Sequence, residues 1–199
     1  MARPETPAQR LFFAVPLPAE WRSPLTALQQ RLAQSGVRVK WVEPQNLHLT
    51  LRFLGDQPDS RQGQLTEIAQ TVAAGHPAFE LALQGVGAFP EVRRPRTLWV
   101  GTGAGQEELT ALGGELSQAL EAAGVVAPEG KPWSAHCTLG RVRQEGGLGP
   151  LSAALAAESF TSAPWPVRSF VLYASRLSSA GPVYQSLQTF DLATAGSVS

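Results

Sequence analysis

Leu47-His48-Leu49-Thr50-Leu51-Arg52-Phe53-Leu54 is the stretch that decides the fold of this 199-residue chain. Apolar and polar side chains alternate along it, and successive side chains of a strand point to opposite faces. The period of two predicts a strand with Leu47, Leu49, Leu51 and Phe53 on an apolar face and His48, Thr50 and Arg52 on the other. Pro44-Gln45-Asn46 makes a turn before it, and Gly55 and Pro58 close it. A second stretch repeats the signature. Ser134 to Val142 reads as a strand and holds His136-Cys137-Thr138-Leu139. In each half of the chain a strand bearing His-x-Thr-Leu follows a helix, which points to an internal duplication.

Working outward, Leu11 to Leu17 reads as a strand ended by Pro16 and Pro18. Leu25, Leu28 and Leu32 have helical spacing, with Ser23-Pro24 as a candidate cap and first turn. Val37, Val39 and Trp41 alternate as a strand. Leu65, Ile68, Ala69 and Val72 mark a second helix. Phe79 to Phe89 and Thr97 to Thr102 read as strands around a basic, Pro-bounded loop holding Arg93, Arg94 and Arg96. Leu109, Leu112, Leu116 and Leu120 mark a third helix, weakened at Gly113-Gly114 by roughly 1 kcal/mol per glycine. A short helix is expected at 150–157 and final strands at 167–175 and 183–192. Hairpins among these strands argue for an α+β class with antiparallel sheets, not a doubly wound parallel sheet. The duplication predicts two lobes, whose antiparallel sheets face each other across a central cleft with helices outside, related by a pseudo-two-fold. Residues 1–192 form the expected single domain, and 193–199 a flexible tail.

Lys plus Arg is 16 and Asp plus Glu is 16. A protein that grips long nucleic acid through many phosphates is usually strongly basic, so a nucleic-acid substrate here is expected to be held at an end. The single cysteine, Cys137, excludes an internal disulfide. No apolar run approaches a membrane span, and the start of the chain has no signal-like core. A soluble, cytoplasmic protein is expected.

A strand bearing His-x-Thr places both side chains on one face, about 7 Å apart. The imidazole passes protons near neutral pH, and the hydroxyl donates to a phosphoryl oxygen. Two such strands facing each other supply a base for the attacking oxygen, an acid for the leaving oxygen and two anchors. That is the requirement of metal-free phosphoester displacement. Threonine fills roughly 6% of positions, so its recurrence two places after two of three histidines has a chance of roughly 1%. Half-buried strand histidines and β-favouring threonines are the alternative reading. Two histidines are too few for a zinc site, and no Cys or His cluster adds ligands. Cys137, out of phase with His136, is expected in the core. Arg52, in phase with His48, is a phosphate-binding candidate. Phe13 and Trp133 are candidates to stack a base, although core packing competes for one of Phe12 and Phe13. Tyr184 divides between packing and the cleft.

These residues resemble the 2H phosphoesterases, specifically the RNA 2′,3′-cyclic 3′-phosphodiesterases also called 2′-5′ RNA ligases. Arg10-Leu-Phe-Phe-Ala-Val, Asn46-Leu-His-Leu-Thr-Leu-Arg-Phe-Leu-Gly55, Gly87-Ala-Phe-Pro90, Pro95-Arg-Thr-Leu-Trp-Val-Gly101, His136-Cys-Thr-Leu-Gly-Arg141, Leu172-Tyr-Ala-Ser175 and Gly181-Pro-Val-Tyr184 carry the resemblance. It implies a bilobal fold and hydrolysis of RNA 2′,3′-cyclic phosphate ends, tRNA halves among them, to 2′-phosphomonoesters. It also implies ATP-independent 2′-5′ joining to 5′-hydroxyl RNA. A small cyclic-phosphate nucleotide or a 2′-5′ oligonucleotide is the alternative substrate. It implies no cofactor and no protein partner, and a monomer is expected. His48, Thr50, His136 and Thr138 carry over directly, with His48 as acid for the leaving 3′-oxygen and His136 as base for water. Arg141 matches an arginine that contacts the phosphate. Ala135 stands where the family often has Pro, and Cys137 where it usually has an aliphatic residue. Arg141 also lies five residues after His136, where an ideal strand points it away from the site. Either the strand bends, with Gly140 as the candidate position, or the assignment to Arg141 fails.

Overall fold

A computed structural model describes residues 8–128, 133–178 and 181–194. Residues 195–199 of the expected tail lie outside the described residues, as do Lys131 and Pro132. In chain order the elements are β1 (Ala8–Pro16), α1 (Ala19–Ala33), β2 (Val39–Trp41), β3 (His48–Pro58), α2 (Gln62–Gly75), β4 (Phe79–Leu81), β5 (Leu83–Phe89) and β6 (Thr97–Thr102). There follow α3 (Gln106–Ala122), β7 (His136–Val142), α4 (Gly149–Ala157), β8 (Trp165–Val167), β9 (Ser169–Ser178) and β10 (Gly181–Asp191). The α+β class holds, and the pairings between these strands are antiparallel. Two details differ from the sequence reading. Pro24 sits inside α1 and does not open it. β3 runs through Gly55 to Pro58, paired along its length with β1.

The strands follow one hydrogen-bonded path, β10-β9-β1-β3-β7-β6-β5, with β2 on β7; β4 and β8 form a small separate sheet. The expectation of two separate sheets therefore needs correction. Two half-sheets are fused between β3 and β7, and the registered join is a single residue pair, Leu49 with Cys137. The order is symmetric about that join. The run β1-α1-β3-α2-β5 corresponds to β6-α3-β7-α4-β9. The third strand of each run crosses to the other half, β9 beside β1 and β5 beside β6.

Leu49, Leu51, Cys137 and Leu139 are completely buried, as the apolar phase of each motif predicts. Helix α3 packs on β3 and on α2, α2 on β10, and α4 on α1 and β5. The glycine pair does not break α3. Gly113 instead lets the Trp133 ring lie against the helix, since a Cβ there would stand 3.3 Å from that ring. With one face of the joined strands sealed by apolar packing, the histidine face is left for chemistry.

Leu49 lies at the junction with none of its surface exposed. Leu49→Ala is expected to cost about 2–5 kcal/mol, read as a lowered denaturant midpoint with native circular dichroism retained before the transition. A loss below about 1 kcal/mol would show that other contacts hold the join.

Candidate active site

The Leu49–Cys137 pair fixes the four motif side chains. Extending its antiparallel register by one residue each way sets His48 across from Thr138 and Thr50 across from His136. All four point away from the buried face and are half-buried. Each histidine thus has a threonine two places along its own strand and another across the join.

Both rings are held in the same way. His48 Nδ1 lies 2.7 Å from the Asn46 carbonyl, and His136 Nδ1 lies 2.7 Å from the Ser134 carbonyl. A carbonyl only accepts, so both Nδ1 atoms carry the proton, and Nε2 is the nitrogen left for proton transfer. In the neutral His48 ring, the Thr50 hydroxyl donates to Nε2 at 3.0 Å. Aromatic rings wall each imidazole. Phe12 lies 5.1 Å and Tyr184 5.3 Å from His48, centroid to centroid, and Phe89 lies 5.0 Å from His136. Phe12 also stacks on Tyr173 at 5.3 Å.

Desolvation pulls the His48 pKa below its ordinary value; the Asn46 carbonyl opposes that shift, and charge on His136 adds to it. Burial also raises the phenols of Tyr184 and Tyr173, with Arg141 offsetting the first and Arg22 the second. A cavity of about 300 Å³ opens beside His48, lined by Arg22, Asn46, Leu47, Tyr173, Pro182 and Tyr184 among others. Asn46 Nδ2 donates to the Pro182 carbonyl at 3.0 Å and fixes one side of it.

Arg141 faces this site. The register of β6 with β7 shifts by one between Leu98 and Trp99, so Leu139 is an extra residue on β7. Such a bulge reverses the alternation beyond it. Arg141, paired with Thr97, returns to the face of Trp99 and its partner Thr138. The expected bend is real, and it lies at the Leu139–Gly140 step, where two residues of β7 oppose Leu98.

The same device corrects Arg52. β3 carries an extra residue at Leu51, where its register with β1 shifts between Phe13 and Ala14. Arg52 therefore turns to the buried face, away from His48, with a side chain only 3% exposed. Its Nη2 donates to the Ala127 carbonyl at 2.7 Å and meets Glu121 of α3 at 3.1 Å. Phe53 takes the His48 face instead and is 58% exposed. Phe13 is corrected as well. It is completely buried and packs edge-on to Phe170 and Phe190, so it cannot stack a base. Phe12 is the ring at the site. No local signal distinguishes the two, because both phenylalanines sit in an unbroken apolar run.

The third histidine, His76, lies apart and bonds Glu115 of α3 at 2.9 Å. Among the described residues no group of three or more His, Cys, Asp or Glu could hold a metal ion. No described helix is long and apolar enough to cross a membrane.

The chain matches the LigT like Phosphoesterase family twice, over residues 15–99 and 100–184. It belongs to that family, and the double match agrees with the symmetry of the strand order. An RNA 2′,3′-cyclic phosphodiesterase of Archaeoglobus fulgidus is 34% identical over 184 residues, 92% of this chain and 99% of that one. One of Aeropyrum pernix is 33% identical over 175 residues, 87% of this chain and 98% of that one. A crystal structure from Thermus thermophilus superposes with a TM-score of 0.79 at 30% identity, covering 94% of this chain and 99% of that one. Escherichia coli LigT complexed with 3′-AMP superposes at 0.74 with 29% identity and the same coverage.

The directions of the His48 shifts are measurable. An NMR titration of the imidazole signals should give His48 a midpoint below about 6.5. His136→Gln, which removes the neighbouring charge, should raise that midpoint, and an unchanged value would show that the rings do not sense each other. Arg52→Leu breaks a buried ion pair, so it is expected to lower the unfolding midpoint while kcat/KM stays near wild type. A selective loss of kcat/KM with the midpoint intact would return Arg52 to the phosphate site.

Proposed function

We propose, from membership of the LigT-like phosphoesterase family, that this protein hydrolyses RNA 2′,3′-cyclic phosphate ends to 2′-phosphomonoesters. Residues 8–192 act as one two-lobed unit, and the face shared by the two half-sheets is the cleft that takes the RNA end. The observation that carries this reading is the paired His-x-Thr quartet on one face, with both Nδ1 atoms committed to carbonyls and both Nε2 atoms directed to the site. Relatives matched across most of the chain are named RNA 2′,3′-cyclic phosphodiesterases, which supports the substrate end of this reading.

His136 Nε2 takes a proton from water as its oxygen attacks phosphorus. The phosphorus–O3′ bond breaks, and His48 Nε2 gives a proton to the departing oxygen. Thr50, Thr138 and Arg141 hold the non-bridging oxygens, whose charge grows in the transition state. A 5′-hydroxyl entering in place of water would form a 2′-5′ phosphodiester by the same step, without ATP. Water at roughly 55 M favours hydrolysis by mass action.

Burial disfavours the charged form of His48 in the free protein, whereas the acid role needs that form. A bound cyclic phosphate supplies the negative charge that offsets desolvation and the nearby His136. The sign of the pH dependence follows. If His48 is the acid, kcat/KM falls as pH rises through its lowered free-state pKa, and the limb in kcat lies at higher pH. A limb that rises through that pKa would exchange the two roles. The cavity beside His48, about 300 Å³, also suits a single nucleotide and keeps a small cyclic-phosphate substrate as the second reading.

The direct test incubates the protein with an oligonucleotide ending in a 2′,3′-cyclic phosphate and identifies the product isomer by phosphorus NMR. A 2′-phosphomonoester is expected, unaffected by EDTA. His48→Ala and His136→Ala should each lower kcat by about 10²–10⁴. Full activity in either variant would end the two-histidine reading.

A further inference from the structure

We infer that a ladder of cations on β2 and β7 runs on from Arg141 at the reacting phosphate, and that its further members, Lys40, Arg143 and Arg38, bind the phosphates lying 5′-ward of the reacting RNA end. The inference rests on the proposed RNA-end activity and extends it to a binding track outside the catalytic quartet. Net charge is zero across the chain, yet these strands concentrate cations on one face.

β2 and β7 are antiparallel with Lys40 opposite Arg141. One step outward, Arg143 N donates to the Arg38 carbonyl at 2.8 Å, which continues the register. Lys40 therefore pairs with Arg141, and Arg38 with Arg143. The bulge at Leu139 places Arg141 on the face of His136 and Thr138. Val142 between the arginines is buried, so Arg143 shares the face of Arg141, and the partners Lys40 and Arg38 follow. All four side chains are exposed, and none takes part in the ion pairs found among the described residues.

Like charges directly opposite on neighbouring strands destabilise a sheet. Two such pairs in succession, with no acidic partner between them, are a standing cost that a polyanion would relieve. The spacing suits one. Residues two apart on a strand are about 7 Å apart, close to the span from one phosphate to the next in an extended single strand. The ladder also begins at the site, because Arg141 lies near enough to Tyr184, the ring beside His48, to offset the rise of its phenol. A single-stranded RNA whose terminal phosphate sits among the histidines and Arg141 can then lay its next phosphates along Lys40, Arg143 and Arg38.

The test uses the full chain with Arg38→Gln, Lys40→Gln and Arg143→Gln combined and Arg141 untouched. A mononucleoside 2′,3′-cyclic phosphate should be turned over as by wild type. For a single-stranded octanucleotide with the same end, KM should rise by about tenfold or more at low salt. The slope of log KM against log salt should become shallower by about 2, since each phosphate contact on a single strand contributes about 0.7. Equal loss on both substrates, no change on the octanucleotide, or no preference for length in wild type would overturn the inference. Fluorescence anisotropy with an octanucleotide ending in a plain 3′-phosphate separates it from the catalytic reading. Weaker, less salt-dependent binding in the triple variant would uphold the ladder even if no cyclic phosphate were hydrolysed, and equal binding would sink it even if hydrolysis were confirmed. Displacement of that RNA by polyglutamate at equal charge concentration would overturn the assignment to RNA.

Discussion

The contact between Leu49 and Cys137 is the constraint on which the active face depends. Each side chain is wholly buried, and together they form the registered join between the half-sheets. Because side chains alternate, fixing these two inward forces His48, Thr50, His136 and Thr138 outward. A slip of one residue in either strand would bury two of the four polar groups and expose that strand's member of the apolar pair. The small Cys137 also fits where two strands converge at a point. Its thiol, pushed up to about 12 by burial, remains protonated and serves as a compact apolar group beside the His and Thr pairs.

The second constraint is a matched pair of bulges, each three residues past a histidine. Leu51 and Leu139 are the inserted residues, and both are buried. Beyond each bulge the two halves diverge in what they do with the same positions. Four residues past the histidine the first half has Arg52, which bonds Glu121 and ties β3 to the end of α3. The second half has Gly140, where a Cβ would stand 2.7 Å from Val39 and 2.9 Å from Trp41, so β2 can lie close on β7. Five residues past, Phe53 stands on one side and Arg141 on the other. On the same symmetric frame one arginine is thus a buried structural cation, and the other stands on the face of the His and Thr pairs.

Most elements are legible in the sequence because their signals are local. Helices announce themselves by leucines at spacings of three and four, and the strands of both motifs by strict alternation. The His and Thr pairs are legible for the same reason, since they precede the bulges and keep the ideal phase. Arg52 lands on the wrong face, and Arg141 on neither, because counting by twos fails once a residue is inserted. The β3 bulge has no glycine to mark it, whereas the β7 bulge has Gly140 next to its extra leucine; both leucines sit in an apolar phase that looks unbroken. The choice between Phe12 and Phe13 needs a register that the run itself does not contain. The single joined path is also beyond local pattern, because pairing across the β3–β7 seam depends on residues far apart in sequence.

The two histidines are symmetric in their hydrogen bonds and unequal in their surroundings. Both donate Nδ1–H to a carbonyl two residues back. His48, however, is enclosed by Phe12 and Tyr184, while His136 has Phe89 against it. Apolar enclosure disfavours the imidazolium, and His136 adds like charge to that effect. An acid–base pair works only if one ring is protonated while the other is bare, and two identical sites would leave that choice to chance. Unequal desolvation breaks the tie in the free protein by biasing His48 toward its neutral form. The acid role proposed for His48 runs against that bias, so the proposal requires the charge of a bound phosphate to outweigh it.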